Sequence, residues 1–324
     1  MEKKLYLEKP FLYGRLHIGY PMISIMQHQN GKEFLYNYFL NLECHKSNRD
    51  LNLCYVSQVD RKSISWINYL NEYQLENIND KKNIVDIFCT EINNNKYIYT
   101  KFDDYYLPEK LAIKRHYIHD NMIYGYDDIK KVFYTYGYDL NGKLRSIELP
   151  FEAAVDGFKT PGFIEIYSPD FKKNFDFNKE HFKIQIEDFL NSRNTLISDA
   201  AWEKCGFSKK DFYYGADVYK RIFEYIKEIP QNGLDIRNTY MIYEWSKLNY
   251  IRMVFLKNSK YYLISNILIK DAKDIYYKSK ANHYLALKYG IVKDENLLVK
   301  IKDNIIWHRN NMLKFYEKLG KIIE

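Results

Sequence analysis

Apolar positions change their period once along this chain of 324 residues, near residue 174. Before that point, short apolar runs are broken by turn residues. Leu51–Val56 (LNLCYV), Lys96–Lys101 (KYIYTK), Lys131–Tyr138 (KVFYTYGY), Leu144–Leu149 and Phe163–Tyr167 carry the β-branched and aromatic residues of strands. Among them Pro21–Gln29, with proline in its first turn, Lys32–Leu42 and Pro150–Phe158 read as short helices. After residue 174 the spacing is near 3.6. It predicts helices over Lys179–Asn191, Ala216–Glu228, Asp235–Lys257 with Asp235 as N-cap, Asp271–Tyr289 and Asn296–Leu319. Asn194–Tyr213 reads as an irregular connection between helices. The expected fold class is α+β: an antiparallel-sheet domain over 1–172, then an all-α helical domain over 173–324.

The most informative stretch is Arg115–Asp139. It reads as a hairpin turning at Gly125-Tyr126-Asp127-Asp128. A turn centred near Asp128–Ile129 sets position 119 opposite about position 138, which makes His119 and Asp139 cross-strand neighbours. A histidine beside a carboxylate is the base-and-orienter part of a catalytic triad. His116 is a rival on the same strand, three residues away and on the other face, with Asp120 beside it. Asp103-Asp104-Tyr105-Tyr106 follows the KYIYTK strand directly, so Asp104 and Tyr106 are secondary candidates. Two acids at a strand end can orient an amine or another catalytic group, or form a solvated turn.

Composition narrows the classes. No run of 18 apolar residues exists, and the amino-terminal stretch lacks a signal-peptide pattern, so a cytoplasmic protein without a membrane role is expected. Cys44, Cys54, Cys89 and Cys205 are scattered with no CxxC pair, which argues against zinc and disulfides. The formal charge is +7, and it comes from lysines spread along the chain rather than from an arginine-rich block. That favours a solvated surface or a basic face for an acidic protein over nucleic-acid binding. No phosphate loop and no metal-ligand spacing is present, so no cofactor or metal is expected.

Leu16-His17-Ile18-Gly19-Tyr20-Pro21 precedes the first expected helix. The order of that helix start, then His119 with Gly125-Tyr126-Asp127 six to eight residues on, then Asp139, resembles the papain-like bacteriocin-leader-processing peptidases. More specifically, it resembles cysteine-peptidase homologues of natural-product biosynthesis, namely the amino-terminal domain of butirosin biosynthesis protein H and the amide-forming homologue of closthioamide assembly. The resemblance covers about residues 10–170. It implies a papain-like domain that moves an acyl group from the phosphopantetheine arm of an acyl- or peptidyl-carrier protein to an amine. His119 would be the base and Asp139 its partner, with His17, Gly19 and Tyr20 at the oxyanion side.

The departure is at the nucleophile. The family opens its first helix with His-Cys, whereas His17 here is followed by Ile18, Gly19 and Tyr20. Three mechanisms stay open. In one, His119 deprotonates an amine that attacks the thioester directly, with the Gly19–Met22 amides holding the oxyanion. In another, Cys44 or Cys54 supplies a displaced nucleophile. In the third, the domain is a docking partner of an assembly line without turnover. A peptidase-like hydrolase is a further alternative, disfavoured because amides need more activation than thioesters. The sequence leaves the oligomeric state open.

Overall fold

Strand and helix chemistry alternate along the chain. In order, the elements are β1 (Glu2–Lys4), α1 (Leu16–Ile25), α2 (Gly31–Asn37), β2 (Leu42–His45), β3 (Cys54–Tyr55), β4 (Leu70–Ile78), α3 (Ile84–Asn93), β5 (Tyr97–Asp103), β6 (Ile118–Asp127), β7 (Val132–Tyr138), β8 (Leu144–Pro150), α4 (Phe151–Gly157), β9 (Gly162–Pro169), α5 (Lys179–Leu190), β10 (Phe212–Tyr214), α6 (Val218–Asn232), α7 (Ile236–Asn258), α8 (Asn266–Val292) and α9 (Glu295–Ile323). The computed structural model describes residues 1–47, 50–56, 70–78, 83–109, 115–158, 162–169, 171–172, 176–199, 203 and 208–323. Cys205 and part of the expected 194–213 connection lie outside the described residues. The fold is α+β, with an antiparallel sheet in the first half and helices in the second. By contacts it divides into two units, Met1–Gly31 with Ser65–Asn174, and Lys32–Ile64 with Phe175–Glu324.

In the first unit the sheet runs β4-β9-β5-β6-β7-β8, and β1 pairs the far end of β6. One face carries Ile98, Phe102, Ile123, Phe133, Leu149, Ile164 and Ile166, covered by Ile84, Phe88 and Ile92 of α3 and by Ala154 and Phe158 at α4. Each such side chain contributes about 1.5–3 kcal/mol on burial, so this face is the main stabiliser of the unit. Alternation along β5 turns Tyr99 to the other face, where it meets α1. The Tyr20 ring of α1 lies 5.9 Å from that of Tyr99, and its hydroxyl donates to the Tyr136 carbonyl at 2.9 Å.

Helix α1 begins at Leu16, five residues before the expected start, and Pro21 sits inside it. An interior proline costs about 3 kcal/mol. The buried run Leu16, Ile18, Tyr20, Met22, Ile23 and Ile25 outweighs that several-fold. The expected helix over Lys32–Leu42 stops at Asn37, and Phe39 has φ 60. Leu42–His45 then pairs as a strand between β3 and β10.

Residues 37–41 are tied to the second unit's helices. Gln185 Nε2 donates to the Asn37 carbonyl at 2.7 Å, and Asn41 Nδ2 donates to the Gln185 carbonyl at 2.8 Å. Trp245 Nε1 and the Tyr316 hydroxyl both donate to the Leu40 carbonyl, at 2.6 and 2.7 Å. These bonds explain why Lys32–Ile64 groups with the helices, although the sequence reading assigned it to the sheet domain. Asp235 caps α7 as expected, its side chain accepting from the Arg237 amide. Helix α8 buries Leu268, Ala272, Ile275, Ser279, Asn282, Ala286 and Tyr289, a repeat of alternating four- and three-residue steps.

Candidate active site

The site forms where β5 ends against the start of β6. Their register sets Asp103 opposite Ile118 and Phe102 opposite His119. Past Asp103 the chain turns through one 3-10 turn, Asp104–Tyr106, whose N-cap is Asp103. Asp103 Oδ1 accepts from the amides of Tyr105 and Tyr117, each at 3.1 Å. The Asp104 amide donates to the Tyr117 carbonyl at 2.9 Å. These bonds fold Asp104 back onto β6.

Two adjacent carboxylates therefore meet two histidines. His116 Nδ1 lies 2.7 Å from Asp103 Oδ2, with its side chain 66% exposed. Burial alone would push the Asp103 carboxyl up. The hydrogen bonds from His116 and from the Tyr105 and Tyr117 amides outweigh that and hold it below the usual carboxylate range. His119 Nδ1 lies 3.4 Å from Asp104 Oδ2, with side-chain exposures of 24% and 1%. The second oxygen of Asp104 is buried and has no hydrogen-bond partner among the described residues. The His119 ring stacks on Tyr138 at 6.3 Å with an interplanar angle of 11°, and Tyr117 flanks it at 5.4 Å. The Tyr138 hydroxyl donates to the Tyr13 carbonyl at 3.2 Å, which links this wall to the segment entering α1. The imidazole is thus half-open, held by rings and faced by a buried acid. That is the geometry of a base whose orienter is shielded from water, and such pairs often tighten only when substrate binds.

Asp139 does not take the expected role. The β6–β7 ladder ends at Met122 opposite Tyr136, and Asp139 lies beyond it in the turn to β8. There its Oδ1 accepts from the Asn141 and Lys143 amides, both at 2.8 Å, and its Oδ2 from Arg145 Nε at 2.7 Å. The Lys143 amide and the Arg145 guanidinium hold its carboxyl below the usual range, so it is a turn cap. Asp120 pairs with the Tyr99 hydroxyl at 2.6 Å rather than with His116.

The Gly19–Met22 amides do not form an oxyanion cradle. Gly19 lies inside α1 and donates to the Arg15 carbonyl at 3.0 Å, and Pro21 has no N–H. A Cβ on Gly19 would fall 2.4 Å from the Leu12 carbonyl oxygen, so the residue serves close packing. Tyr20 is fully buried and bonded to the sheet, with its hydroxyl pKa pushed well up by burial. His17 is half-buried in the first turn of α1.

The motif His119…Gly125-Tyr126-Asp127 is also accounted for by packing. A Cβ on Gly125 would meet the Lys3 carbonyl oxygen at 2.6 Å, so glycine lets β1 pair there. Tyr126 donates to Asn93 Oδ1 at 3.0 Å, and Asp127 accepts from the Ile129 and Lys130 amides in the β6–β7 turn.

Burial raises two of the described thiols, Cys44 and Cys89, rather than activating them. Cys44 on β2 of the second unit is buried, and burial pushes its thiol up to about 12. Cys54 pairs opposite Glu43 on β3 of the same unit. In the first unit Cys89 of α3 feels Asp128 and Asp86, with its thiol pushed up to about 11, mainly by burial. Asp128 follows the far end of β6, nine residues or ~30 Å from His119 at ~3.3 Å per residue. Among the described residues no group of three or more metal-ligating side chains converges. Tyr106 is exposed at the rim, 6.1 Å from the His116 ring.

A separate depression of about 340 Å³ lies along β7 and β8, lined by residues including Lys4, Tyr124, Tyr134, Arg145 and Glu148. Its cations are already engaged, Arg145 with Glu109 and Asp139, and Lys4 with Glu2. His119 is not in its lining.

Sequence reasoning named His119 and the Asp103-Asp104 pair but set His119 beside Asp139, whereas its ring faces Asp104 and Asp139 takes the Asn141 and Lys143 amides and Arg145. The available signal was the strand end: a reversal straight after Asp103 sets the acids against the neighbouring strand. No family model matches the sequence, and no curated protein matches it.

Proposed function

We propose that the first unit, read as papain-like, catalyses acyl transfer from a thioester to an amine by general-base chemistry without a covalent acyl-enzyme. His119 is the base and Asp104 its orienter. The amine nitrogen attacks the thioester carbonyl, and its proton passes to His119 Nε2. The C–N bond forms, the C–S bond breaks, and the imidazolium returns the proton to the departing thiolate. Thioesters are activated enough that a positioned base suffices. The resemblance supplies the donor class, the phosphopantetheine arm of a carrier protein. The observation that carries the reading is the buried Asp104 carboxylate facing the half-open His119 imidazole, while burial raises the Cys44 and Cys89 thiols.

The test is intact-mass and product analysis of the protein with an acyl-phosphopantetheine thioester and a panel of amines. Amine-dependent product without a protein adduct is expected, lost in His119→Ala. Asp104→Asn should lower kcat about 10²–10⁴-fold, as loss of an orienting carboxylate does elsewhere. An adduct on any cysteine would overturn the mechanism in favour of acyl-enzyme chemistry. A second reading, a docking domain without turnover, is favoured by the engaged Gly19 amide and by Pro21, which leave no oxyanion donors at those positions. It predicts no product with any amine and unchanged thioester binding in His119→Ala.

A further inference from the structure

The net charge of this chain is not spread evenly. Residues Asn266–Ile323, which form α8 and α9, hold twelve lysines and arginines against six aspartates and glutamates. That surplus of six accounts for nearly all of the formal +7. Lysine count alone hid this, because the residues are spaced rather than clustered.

The same hairpin carries an unpartnered stripe. On α8, Tyr277, Tyr284 and Ile291 follow one another at seven-residue intervals and are 52%, 57% and 83% exposed. Seven residues on a helix drift only about 20°, so these side chains form one nearly straight line ~21 Å long. Ala281 and Lys288 fall at the intervening four-residue steps and are also exposed. The buried seam of α8, from Leu268 to Tyr289, follows the same rhythm on the opposite side of the helix. The helix therefore has two heptad seams, and only one is covered by its neighbours.

The open seam is flanked by lysines, with the acid Asp274 exposed at its amino-terminal end, and it is backed by rings. Lys273 sits over the Tyr277 ring at 5.9 Å and Lys280 over the Tyr284 ring at 5.8 Å, the same four-residue step used twice. Behind the stripe, rings from α7 and α8 interleave: Tyr250 on Tyr276 at 7°, then Tyr243 on His283 at 6°. Tyr276 and His283 reach Tyr277 and Tyr284 in turn, at 4.9 and 6.2 Å. This ladder fixes the rings that form the floor of the stripe.

We infer that this face of α8 docks an acidic amphipathic helix of a partner protein. The heptad spacing sets the occupant. Apolar knobs about 10.5 Å apart match the repeat of another helix, and they do not match the closer spacing of stacked bases. Charge complementarity sets its sign, since the lysines lie where a partner helix would place its flanking acids. Tyrosine is a favoured anchor at such interfaces, giving contact area at low entropic cost. The surface does not depend on the acyl chemistry proposed for His119.

The experiment uses the full chain and fluorescence anisotropy with a labelled helical peptide that has a Leu/Ile heptad flanked by glutamates. Saturable binding that weakens as NaCl rises is expected. It should weaken at least tenfold in Tyr277→Glu/Tyr284→Glu, with helicity checked by circular dichroism. Lys273→Glu/Lys280→Glu gives an independent loss if the tyrosine variant misfolds. His119→Ala should bind the peptide as the unmodified chain does, so failure of the acyl-transfer reading leaves this one testable. Equal binding of a peptide with the same composition and scrambled order would overturn the inference. So would tighter binding to single-stranded oligonucleotide or to phosphatidylserine vesicles, or binding unaffected by both variants.

Discussion

The sharpest quantitative prediction concerns His308, which is buried in α9 within the second unit. Its Nδ1 lies 2.7 Å from the Tyr219 hydroxyl and its Nε2 2.8 Å from Ser246 Oγ. Ser246 Oγ donates its own proton to the Ile242 carbonyl at 2.7 Å, so it accepts from Nε2–H, and the Tyr219 hydroxyl donates to Nδ1. Every proton is assigned with the imidazole neutral. A second ring proton would meet a buried hydroxyl with no counter-charge beside it among the described residues, and burial pushes the His308 pKa down to about 3. The unfolded value is about 6.5. The unfolded chain therefore takes up a proton below pH 6.5 that the native chain refuses. Stability is full above pH 6.5 and falls as pH drops toward 3, by about 1.4 kcal/mol per pH unit from this one group. Over the whole window the loss is roughly 4–5 kcal/mol, comparable to the total stability of many domains. Urea denaturation between pH 7 and 4 measures the slope. His308→Gln, whose amide can still donate to Ser246 and accept from Tyr219, should lower stability at pH 7 and flatten the acid slope by about that amount. An unchanged slope in the variant, or a directly measured His308 pKa near 6.5 in the folded chain, would refute the reasoning. His181, lowered to about 4 by burial, adds a second contribution of the same sign between pH 6.5 and 4.

Two further predictions concern buried polar anchors. Arg252 donates Nε to the Tyr36 carbonyl at 2.7 Å and Nη2 to the Tyr38 carbonyl at 2.8 Å, so Arg252→Met leaves the carboxyl end of α2 unsatisfied. It should lower the urea midpoint by an amount equivalent to about 3–5 kcal/mol, with an unchanged m-value. Tyr20→Phe removes one buried donor to the Tyr136 carbonyl. It should cost about 1–3 kcal/mol in thermal or urea unfolding while leaving thioester turnover intact; a large fall in kcat would instead return Tyr20 to the site.

What the sequence made legible depended on whether local pattern or long-range partner decided the outcome. The long helices were readable because their periodicity and caps are local, as at Asp235. The hairpin was readable because KVFYTYGY leaves little but a strand. Helix α3 was missed, although Ile84, Phe88 and Ile92 stand at clean four-residue steps. The start of α1 was misplaced because proline punctuates a sequence more loudly than a buried apolar run. Helix α2 gave way to β2 because pairing with β3 and with β10, the latter far along the chain, decides that segment.

The same distinction explains the candidate site. Asp139 was close to His119 by strand arithmetic, but its carboxylate has nearer partners in the Asn141 and Lys143 amides, and a turn aspartate takes local amides first. Asp103 obeys that rule too, capping Tyr105 and Tyr117 and holding His116 at the surface. Asp104 is the exception. It is buried, one of its oxygens has no partner among the described residues, and its other oxygen faces His119. An orphaned buried acceptor costs about 1–3 kcal/mol or more when charged, and a solvated turn would not keep it. A stability-driven sequence would place an amide donor beside that oxygen or remove the acid. Retaining the strain beside a half-open imidazole is what a catalytic pair requires. Asp104→Asn therefore separates the two accounts: a purely structural acid predicts a neutral or stabilising change with turnover unaffected, whereas an orienting acid predicts turnover falling while the fold holds.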